Sequence, residues 1–173
     1  MSKARKTKEE RLAVIAVIQA RIDENNRMIE SSLGDMSHLE EIISLRAENR
    51  RLGAELENER LMLLDKLYCN QHIGSDVHPY EVLEKKTDRL LIVRSMKSEE
   101  KPETREKRIA SFVPGGFCGH FDNGLQEWEC SSDPDGYVKE IRLHKDGYWY
   151  ESNTKHCPFI LSDKPKRFYD FNY

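Results

Sequence analysis

The aromatic side chains of this chain lie almost entirely in one part of it. Of its 2 Trp, 7 Tyr and 6 Phe residues, only Tyr68 precedes residue 73. Aromatic rings supply much of the apolar area that a protein core buries. A core within residues 1–72 must therefore rely on aliphatic side chains, whereas residues 73–173 can build an aromatic one. Two regions with different cores are predicted.

Aliphatic residues in the first region recur at alternating spacings of three and four, which is typical of helices that pair along a narrow seam. The first series is interrupted by Asn25 and consists of Ile15, Ile18, Ile22 and Ile29. The second has the polar member Asn49 and consists of Ile42, Leu45, Leu52, Leu56 and Leu63. Residues 31–35 break the pattern. We therefore expect a helical hairpin over residues 8–68, after a disordered basic tail at residues 1–7.

A capping box of Ser37 and Glu40 predicts that the second helix starts near His38. Neither series forms a wide apolar face. A narrow seam with a buried Asn is typical of a coiled coil, in which the Asn sets register or oligomeric state. The predicted function of this region is assembly into a homo-oligomer. The alternative is a hairpin that packs on the second region within a monomer.

The second region carries turn sequences between short runs of β-forming residues. Asp133-Pro134-Asp135-Gly136 combines a proline that presets φ with residues that tolerate tight turns. A strand is expected after it, and a return strand after the turn at residues 145–147. Further strands are expected at residues 81–84, 89–96, 109–113, 126–130, 158–161 and 167–171. Residues 69–75 are expected to be a linker, and residues 97–104 a mobile polar loop.

These elements predict an α+β protein. Its N-terminal helical hairpin or coiled coil is followed by an antiparallel all-β sandwich or small barrel over residues 75–173. About seven short strands separated by turns, without a helical period, favour this class.

Composition excludes several classes of function. The 28 basic residues nearly balance the 31 acidic ones, so generic nucleic-acid binding is not expected. No apolar run approaches the length of a membrane span, and the basic, polar start lacks the apolar segment of a signal peptide. A cytosolic protein without membrane contact is expected. The four cysteines form no C-x-x-C pair, which favours reduced thiols over disulfides.

Signals for catalysis and for metal binding are weak. Motifs of serine hydrolases, zinc proteases and nucleotide triphosphatases are absent. His78 with Asp76 or Asp88 offers an acid–base pair, but local hydrogen bonding of His78 beside Pro79 is favoured. Zinc ligands are offered by Cys118, His120, Cys130, His156 and Cys157. Their spacing matches no zinc module, so free thiols and surface imidazoles are favoured. We expect neither an enzyme nor a cofactor.

A binding site is better supported than a reaction. Arg108 closes a mainly basic run just before Phe112, and Arg142 lies on a predicted strand near Trp149. Guanidinium groups hold phosphate oxygens and aromatic faces stack on bases, so this combination suits a small nucleotide-like ligand. The alternative, which residue types alone favour, is that the aromatic residues fill the core and that Arg142 forms a surface ion pair.

Four stretches of the second region carry a resemblance to a known family. They are Ser75-Asp76-Val77-His78-Pro79-Tyr80-Glu81-Val82, Phe112-Val113-Pro114, Ile141-Arg142-Leu143-His144-Lys145-Asp146-Gly147 and Phe168-Tyr169-Asp170-Phe171. Over residues 75–173 the chain resembles the phage Thoeris anti-defence family, whose members act as sponges for signalling molecules.

The resemblance implies a non-enzymatic phage protein in the host cytosol. Such a protein captures cyclic ADP-ribose isomers made by host TIR enzymes, and in some members small cyclic oligonucleotides, and thereby silences immune signalling. It also implies an oligomer whose pocket forms between neighbouring chains. Carried onto this chain, Phe112 stacks on a base, Asn123 hydrogen-bonds the ligand and Arg142 holds phosphate or ribose. Residue chemistry adds Arg108 and Trp149 to this expected ligand-binding set.

The competing hypothesis is a protein-binding inhibitor of a host immune factor, comparable to an anti-CRISPR protein. It would act through its helical or β region without a small ligand. A structural or virion accessory module is a third possibility. A basic and aromatic pocket between chains favours the sponge, whereas an exposed apolar patch on the helices favours partner binding.

Overall fold

The computed structural model describes residues 5–33, 36–115, 119–151 and 156–172. Contacts divide the chain into two units. The helical unit comprises Met1–Asp65 with Lys145–Gly147, and the barrel unit comprises Lys66–His144 with Tyr148–Tyr173. Residues 1–4 of the predicted tail and residues 34–35 of the predicted break lie outside the described residues.

The helical unit contains the predicted hairpin. Helix α1 (Lys8–Ser32) begins with a capping box, in which the Thr7 hydroxyl accepts from the Glu10 N–H and the Glu10 carboxylate accepts from the Thr7 N–H. A 3₁₀ turn (Met36–His38) precedes helix α2 (Leu39–Leu61). The N-cap of α2 is His38, without a side-chain capping bond, rather than the predicted Ser37.

Helix α2 ends at Leu61 rather than near residue 68, because the chain from Tyr68 onward pairs as a strand. The two helices run antiparallel and bury the predicted seam between them. One apolar cluster consists of Ile18, Leu52 and Leu56, and a second consists of Ile29, Ile42 and Leu45. Most of the seam side chains are therefore buried within a single chain. Ile15 and Ile22 are partly buried against the first cluster, and the predicted seam residue Leu63 lies beyond the end of α2.

Polar side chains interrupt this seam at two levels. Asn25 is fully buried, and its Nδ2 donates to Asn49 Oδ1 (2.9 Å) and to Glu48 Oε2 (3.1 Å). Nearer the open end of the hairpin, buried Arg11 donates to Glu59 Oε2 (2.6 Å). Asn25 Nδ2 and Arg11 thus have their partners on the other helix, whereas the buried Oδ1 of Asn25 has no hydrogen-bond partner among the described residues. A shift of register would leave further buried polar groups unpaired.

The barrel unit is built from antiparallel strands around a closed barrel. The strands are β1 (Tyr68–Ile73), β2 (Asp76–Thr87), β3 (Leu90–Ser95), β4 (Lys97–Glu100), β5 (Trp128–Ser131), β6 (Val138–Leu143), β7 (Trp149–Glu151) and β8 (Phe159–Ser162). The barrel closes in the order β1-β2-β3-β6-β7-β8, with β8 paired back to β1. The predicted α+β class with an antiparallel small barrel is therefore confirmed.

Between β3 and β6 the chain leaves the barrel and builds an insertion. Strands β4 and β5 pair as a two-stranded ribbon, and helix α3 (Pro102–Ala110) and a 3₁₀ turn (Asn123–Leu125) connect them. The predicted mobile loop at residues 97–104 is wrong, because these residues form β4 and the start of α3. The helix has Pro102 at its first position, an acidic first turn and a basic last turn, which are ordinary helix signals.

Three other local predictions differ from the structure. Residues 109–113 are not a strand, since α3 runs to Ala110 and only a bridge from Val113 to His120 follows. Residues 69–75 are not a linker, because most of them form β1. Residues 167–171 contribute a single bridge, from Phe168 to Val77, rather than a strand.

The barrel interior is apolar along most of its length. The side chains with almost no exposure are Cys69, Leu91, Val93, Ile141, Trp149 and Phe159. Strand partners share one face of a sheet, and so do alternate residues along a strand, so this set defines the inward face. The barrel core thus uses the aromatic side chains that the helical unit lacks.

Candidate functional site

The inward face becomes polar at one end of the barrel. Cys69 faces Tyr80 across β1 and β2, and the next inward pair is Gln71 with His78. On β6, Lys139 pairs with the inward residue Val93 and therefore lies on the same face. Gln71 is 6% exposed, and its amide has no hydrogen-bond partner among the residues that the structure describes. Polar groups at a barrel mouth are typical of ligand sites.

A pocket of about 200 Å³ opens at this polar end. Its wall is formed by strand β2, the end of β3, the β4–β5 ribbon and the C-terminal segment, residues 167–172. Its lining includes His78, Tyr80, Ser95, Met96, Trp128 and Arg167. All of them belong to the barrel unit.

Arg167 is the half-buried cation of this pocket. Its Nη1 donates to the Val77 carbonyl (3.3 Å) and to Nδ1 of His78 (2.6 Å). Its guanidinium carbon lies 5.5 Å from the centroid of the Trp128 ring and 5.6 Å from that of Tyr169. No carboxylate in the described part of the chain lies within ion-pair distance of it. The pocket therefore contains a positive charge that no described carboxylate pairs.

His78 is the hydrogen-bond acceptor for this cation. A guanidinium group only donates, so Nδ1 of His78 must be unprotonated and the ring proton must lie on Nε2. Burial lowers the pKa of His78, the charges of Arg167 and Lys139 lower it further, and Asp76 opposes them. The hydrogen-bond partner of His78 is thus Arg167, rather than the Asp76 or Asp88 of the acid–base hypothesis.

The C-terminal segment, residues 167–172, carries this arginine and is fixed to the rest of the barrel unit. Gln126 donates from Nε2 to the Tyr169 carbonyl (2.9 Å) and accepts from the Tyr169 N–H at Oε1 (2.8 Å). Phe168 and Val77 exchange two backbone hydrogen bonds (2.9 and 3.1 Å). These bonds hold the pocket arginine in one place without a regular strand.

Three of the five predicted ligand-binding residues lie near one another, beside the C-terminal segment. Arg108 is 6% exposed, donates to both carboxylate oxygens of Glu100 (2.9 and 2.8 Å) and lies 3.3 Å from the centroid of the Phe171 ring. Asn123 donates to Asp170 (2.7 Å) and accepts from the Phe171 N–H (3.2 Å). The polar groups of both residues are thus engaged within the protein.

Phe112, the third member, is 45% exposed, and its ring centroid lies 5.0 Å from that of Phe121. Gly119 contacts the same ring so closely that a Cβ there would lie 2.0 Å from the Phe112 Cζ. One part of the ring is therefore packed, while the rest faces solvent. Its predicted role of stacking on a base remains a prediction.

The other two predicted residues lie on neighbouring strands but on opposite faces. Trp149 is 1% exposed and shares the inward face with its strand partner Leu143. Arg142 precedes Leu143, so it faces outward, where it is exposed and donates to Glu140 (2.8 Å). Arg142 and Trp149 therefore do not line one pocket within a single chain. Their ligand contacts remain predictions.

The described residues contain no group of three His, Cys, Asp or Glu side chains that could hold a metal ion. Cys118 of the zinc hypothesis lies outside the described residues. Cys69, Cys130 and Cys157 are free thiols, and burial raises the pKa of the Cys69 thiol, which makes it unreactive. No helix in the described ranges has both the length and the apolar character of a membrane span.

The chain matches no protein-family model, no curated protein and no solved structure. The pocket residues Trp128 and Arg167 were not among the residues predicted from the sequence. They come from the ribbon and from the C-terminal segment, far apart in the chain, and no local motif links them. The one sequence signal that could have pointed to Arg167 is that aromatic residues follow it, at Phe168, Tyr169 and Phe171.

Proposed function

We propose that the barrel unit binds and sequesters a small ligand that has a planar ring and an anionic group, as nucleotides do. The observation that carries this proposal is Arg167: a half-buried guanidinium in a pocket, stacked near Trp128 and Tyr169, with no carboxylate partner in the described part of the chain. A cation that gives up part of its hydration without a charge partner is stabilised when an anion binds.

The chemistry of the pocket walls fits such a ligand. The Nε and Nη2 groups of Arg167 form a planar, two-pronged donor edge that suits a phosphate or carboxylate. Trp128 offers an aromatic surface, and Met96 offers a polarisable one that adapts to a ring. Lys139 adds positive potential nearby, although Glu151 accepts from it at 3.0 Å.

We propose binding without turnover because the imidazole of His78 already accepts a hydrogen bond from Arg167. Nδ1 of His78 accepts from Arg167, and general-base catalysis would need a free ring nitrogen aimed at the substrate. Capture alone needs only rigid walls and preorganised donors.

A finer proposal identifies the ligand as a cyclic nucleotide immune signal, a cyclic ADP-ribose isomer or a small cyclic oligonucleotide, held by a phage-type anti-defence protein in the bacterial cytosol. It is supported by the sequence resemblance over residues 75–173. A volume of about 200 Å³ is below the roughly 300–1,000 Å³ of most ligand sites. One chain would thus hold one nucleotide portion, and a neighbouring chain would cover the rest of the ligand.

The proposed homo-oligomer needs a surface other than the helical seam. The seam is buried within the hairpin, which we propose is an intramolecular coiled coil. The large apolar side chains of the helical unit that remain exposed among the described residues are Leu12, Val17, Leu33, Leu39, Ile43 and Leu64. They favour a second candidate function, in which this unit binds a host protein as an inhibitor.

Native mass spectrometry of the purified protein tests these proposals. Spectra are compared before and after addition of cyclic ADP-ribose isomers and cyclic di- and trinucleotides, and bound ligand is released by heat and identified. Stoichiometric uptake with recovery of unaltered ligand supports sequestration. A recovered product instead of ligand would show turnover, and no uptake by a folded protein would favour the protein-binding alternative.

Two arginine variants locate the site in the same experiment. Arg167→Gln removes the unpaired cation, and Arg142→Gln removes an exposed arginine that pairs with Glu140. We expect Arg167→Gln to weaken uptake by about tenfold or more, since it removes a charge-assisted contact. The Arg142 variant is the matched control for net charge. Weaker uptake by Arg142→Gln, with unchanged uptake by Arg167→Gln, would place the site at Arg142, where the sequence resemblance implies it.

A further inference from the structure

We propose that His78 is a positioning residue for Arg167, and that its unprotonated Nδ1 holds the guanidinium in the orientation that binds an anion. Ligand binding is then lost when His78 takes up a proton. This inference rests on the proposed function of the pocket and adds a regulation to it.

The geometry leaves Arg167 one free binding edge. Nη1 is held by His78 Nδ1 at 2.6 Å and by the Val77 carbonyl at 3.3 Å. Two acceptors on one nitrogen fix the rotation of the planar group, because all its nitrogens move together. The edge formed by Nε and Nη2 lies on the far side from Nη1 and has no partner among the described residues. His78 thus sets the direction of that edge without contacting the ligand through Nδ1.

The surroundings of His78 determine when it takes up a proton. The C-terminal segment presents Arg167, β6 presents Lys139, and β2 itself presents Asp76 and Tyr80. Strand β1 presents the uncharged Gln71. Two cations face the ring against one carboxylate, and burial acts in the same direction as the cations. His78 is therefore neutral at neutral pH and takes up a proton only in more acidic solution.

Protonation would replace the acceptor by a donor and put a second cation beside the first. The Nδ1 and Nη1 atoms are 2.6 Å apart, whereas an anion on the far edge lies beyond the whole width of the guanidinium group. Coulomb energies fall with distance. The repulsion between protonated His78 and the nearby guanidinium therefore exceeds the attraction between protonated His78 and a singly charged ligand on the far edge. Either ring or guanidinium must then move, and the binding edge loses its direction.

A first test needs no ligand. ¹⁵N NMR of the free protein reports which ring nitrogen of His78 carries the proton, and how the ring titrates. The expected result at neutral pH is a proton on Nε2, with a pKa that rises towards its ordinary value in Arg167→Gln. A proton on Nδ1, or a titration that Arg167→Gln leaves unchanged, would overturn the inference whatever the protein binds.

A second test measures binding of 3′,5′-cyclic AMP, whose phosphodiester keeps a single charge across the pH range used. His78→Asn keeps an acceptor near the position of Nδ1 but does not titrate, whereas His78→Leu has no acceptor. We expect the Leu variant to bind about tenfold more weakly than wild type at about pH 7.5, and the Asn variant to recover most of the affinity. As the pH is lowered from about 7.5 to values below the ordinary pKa of histidine, the affinity of wild type should fall once His78 takes up a proton, and that of the Asn variant should stay level.

The outcomes separate the inference from the function that it extends. If wild type binds cyclic AMP, Arg167→Gln does not, and His78→Leu binds like wild type, the pocket is real and His78 does not position Arg167. An equal fall of affinity with pH in wild type and in His78→Asn would also refute the positioning role. If wild type binds neither cyclic AMP nor any member of the cyclic nucleotide panel, the proposed function fails.

Discussion

Two arginines beside the same C-terminal segment of the barrel unit have opposite charge environments. Arg108 stacks on Phe171 at 3.3 Å, is 6% exposed and donates to both oxygens of Glu100. Arg167 lies 5.6 Å from Tyr169, is half-buried and has no carboxylate partner in the described ranges. Both arginines thus contact aromatic rings, but only Arg108 has a carboxylate partner among the described residues. A guanidinium with a carboxylate partner thus holds the fold together, whereas a pocket guanidinium without one is available to a ligand.

The largest expected effect is on the paired arginine. Arg108→Met keeps much of the apolar stem but leaves the Glu100 carboxylate buried without its cation. Removing one partner of a buried pair costs about 3–5 kcal/mol, so we expect the free energy of unfolding of the barrel unit to fall by about that much. Urea unfolding followed by Trp fluorescence measures it, since both Trp residues lie in this unit.

Replacing both partners should restore most of this loss. Glu100→Leu combined with Arg108→Met removes the uncompensated charge, and apolar replacements of buried pairs are often close to neutral in stability. We expect the double variant to unfold within about 1–2 kcal/mol of wild type. A double variant as unstable as Arg108→Met alone would mean that stacking on Phe171, rather than the ion pair, makes Arg108 structural.

The unpaired arginine should contribute much less to stability. Arg167→Gln loses the hydrogen bonds to His78 and to the Val77 carbonyl and the aromatic contacts, which together are worth about 1–2 kcal/mol at a half-buried site. Thermal unfolding with and without cyclic AMP distinguishes this from a structural role. Wild type should be stabilised by the ligand and Arg167→Gln should not. A loss of stability as large as that of Arg108→Met would remove the contrast between the two arginines.

The smallest expected effect is on the pH dependence of stability. The pKa of His78 in the folded chain is lowered from 6.5 by burial and by the neighbouring cations. The unfolded chain therefore takes up a proton near 6.5 while the folded chain does not, so unfolding is favoured as the pH falls below that value. The contribution is fully present above 6.5 and is lost in more acidic solution. Denaturant melts of wild type and His78→Asn should diverge in this range, with wild type losing more stability.

Much of the helical unit could be predicted, because its pattern is local. The heptad spacing around Asn25 and Asn49 correctly indicated a hairpin with polar residues in its seam. The end of α2 could not be predicted from that spacing, because the chain becomes strand β1 at Tyr68, where it pairs with β2 and β8. In the barrel unit, the turn at Asp133-Pro134-Asp135-Gly136 and the strands around it were predictable. The insertion was not, since its polar strand β4 gains stability only from pairing with β5.

The candidate site was less predictable than the fold. Arg108 and Arg142 were selected because basic residues near aromatic ones suit a nucleotide, yet both have carboxylate partners in the folded chain. A carboxylate nearby in the sequence does not show which arginine it pairs with, because the fold decides which side chains meet. Glu100 is close enough in the chain to pair with Arg108, whereas Arg167 reaches His78 only through the fold.

The amino-acid sequence alone establishes the division into an aliphatic helical region and an aromatic β region, and the near balance of charge. These are properties of composition and of short-range periodicity, which need no knowledge of distant contacts. Folding of the whole chain determines which end of the barrel is polar, which thiol is buried, and which pocket guanidinium has no carboxylate partner among the described residues. Burial depends on strands that are distant in the chain, and charge pairing depends on which side chains the fold brings together. The same residue type is therefore structural at Arg108 and available at Arg167.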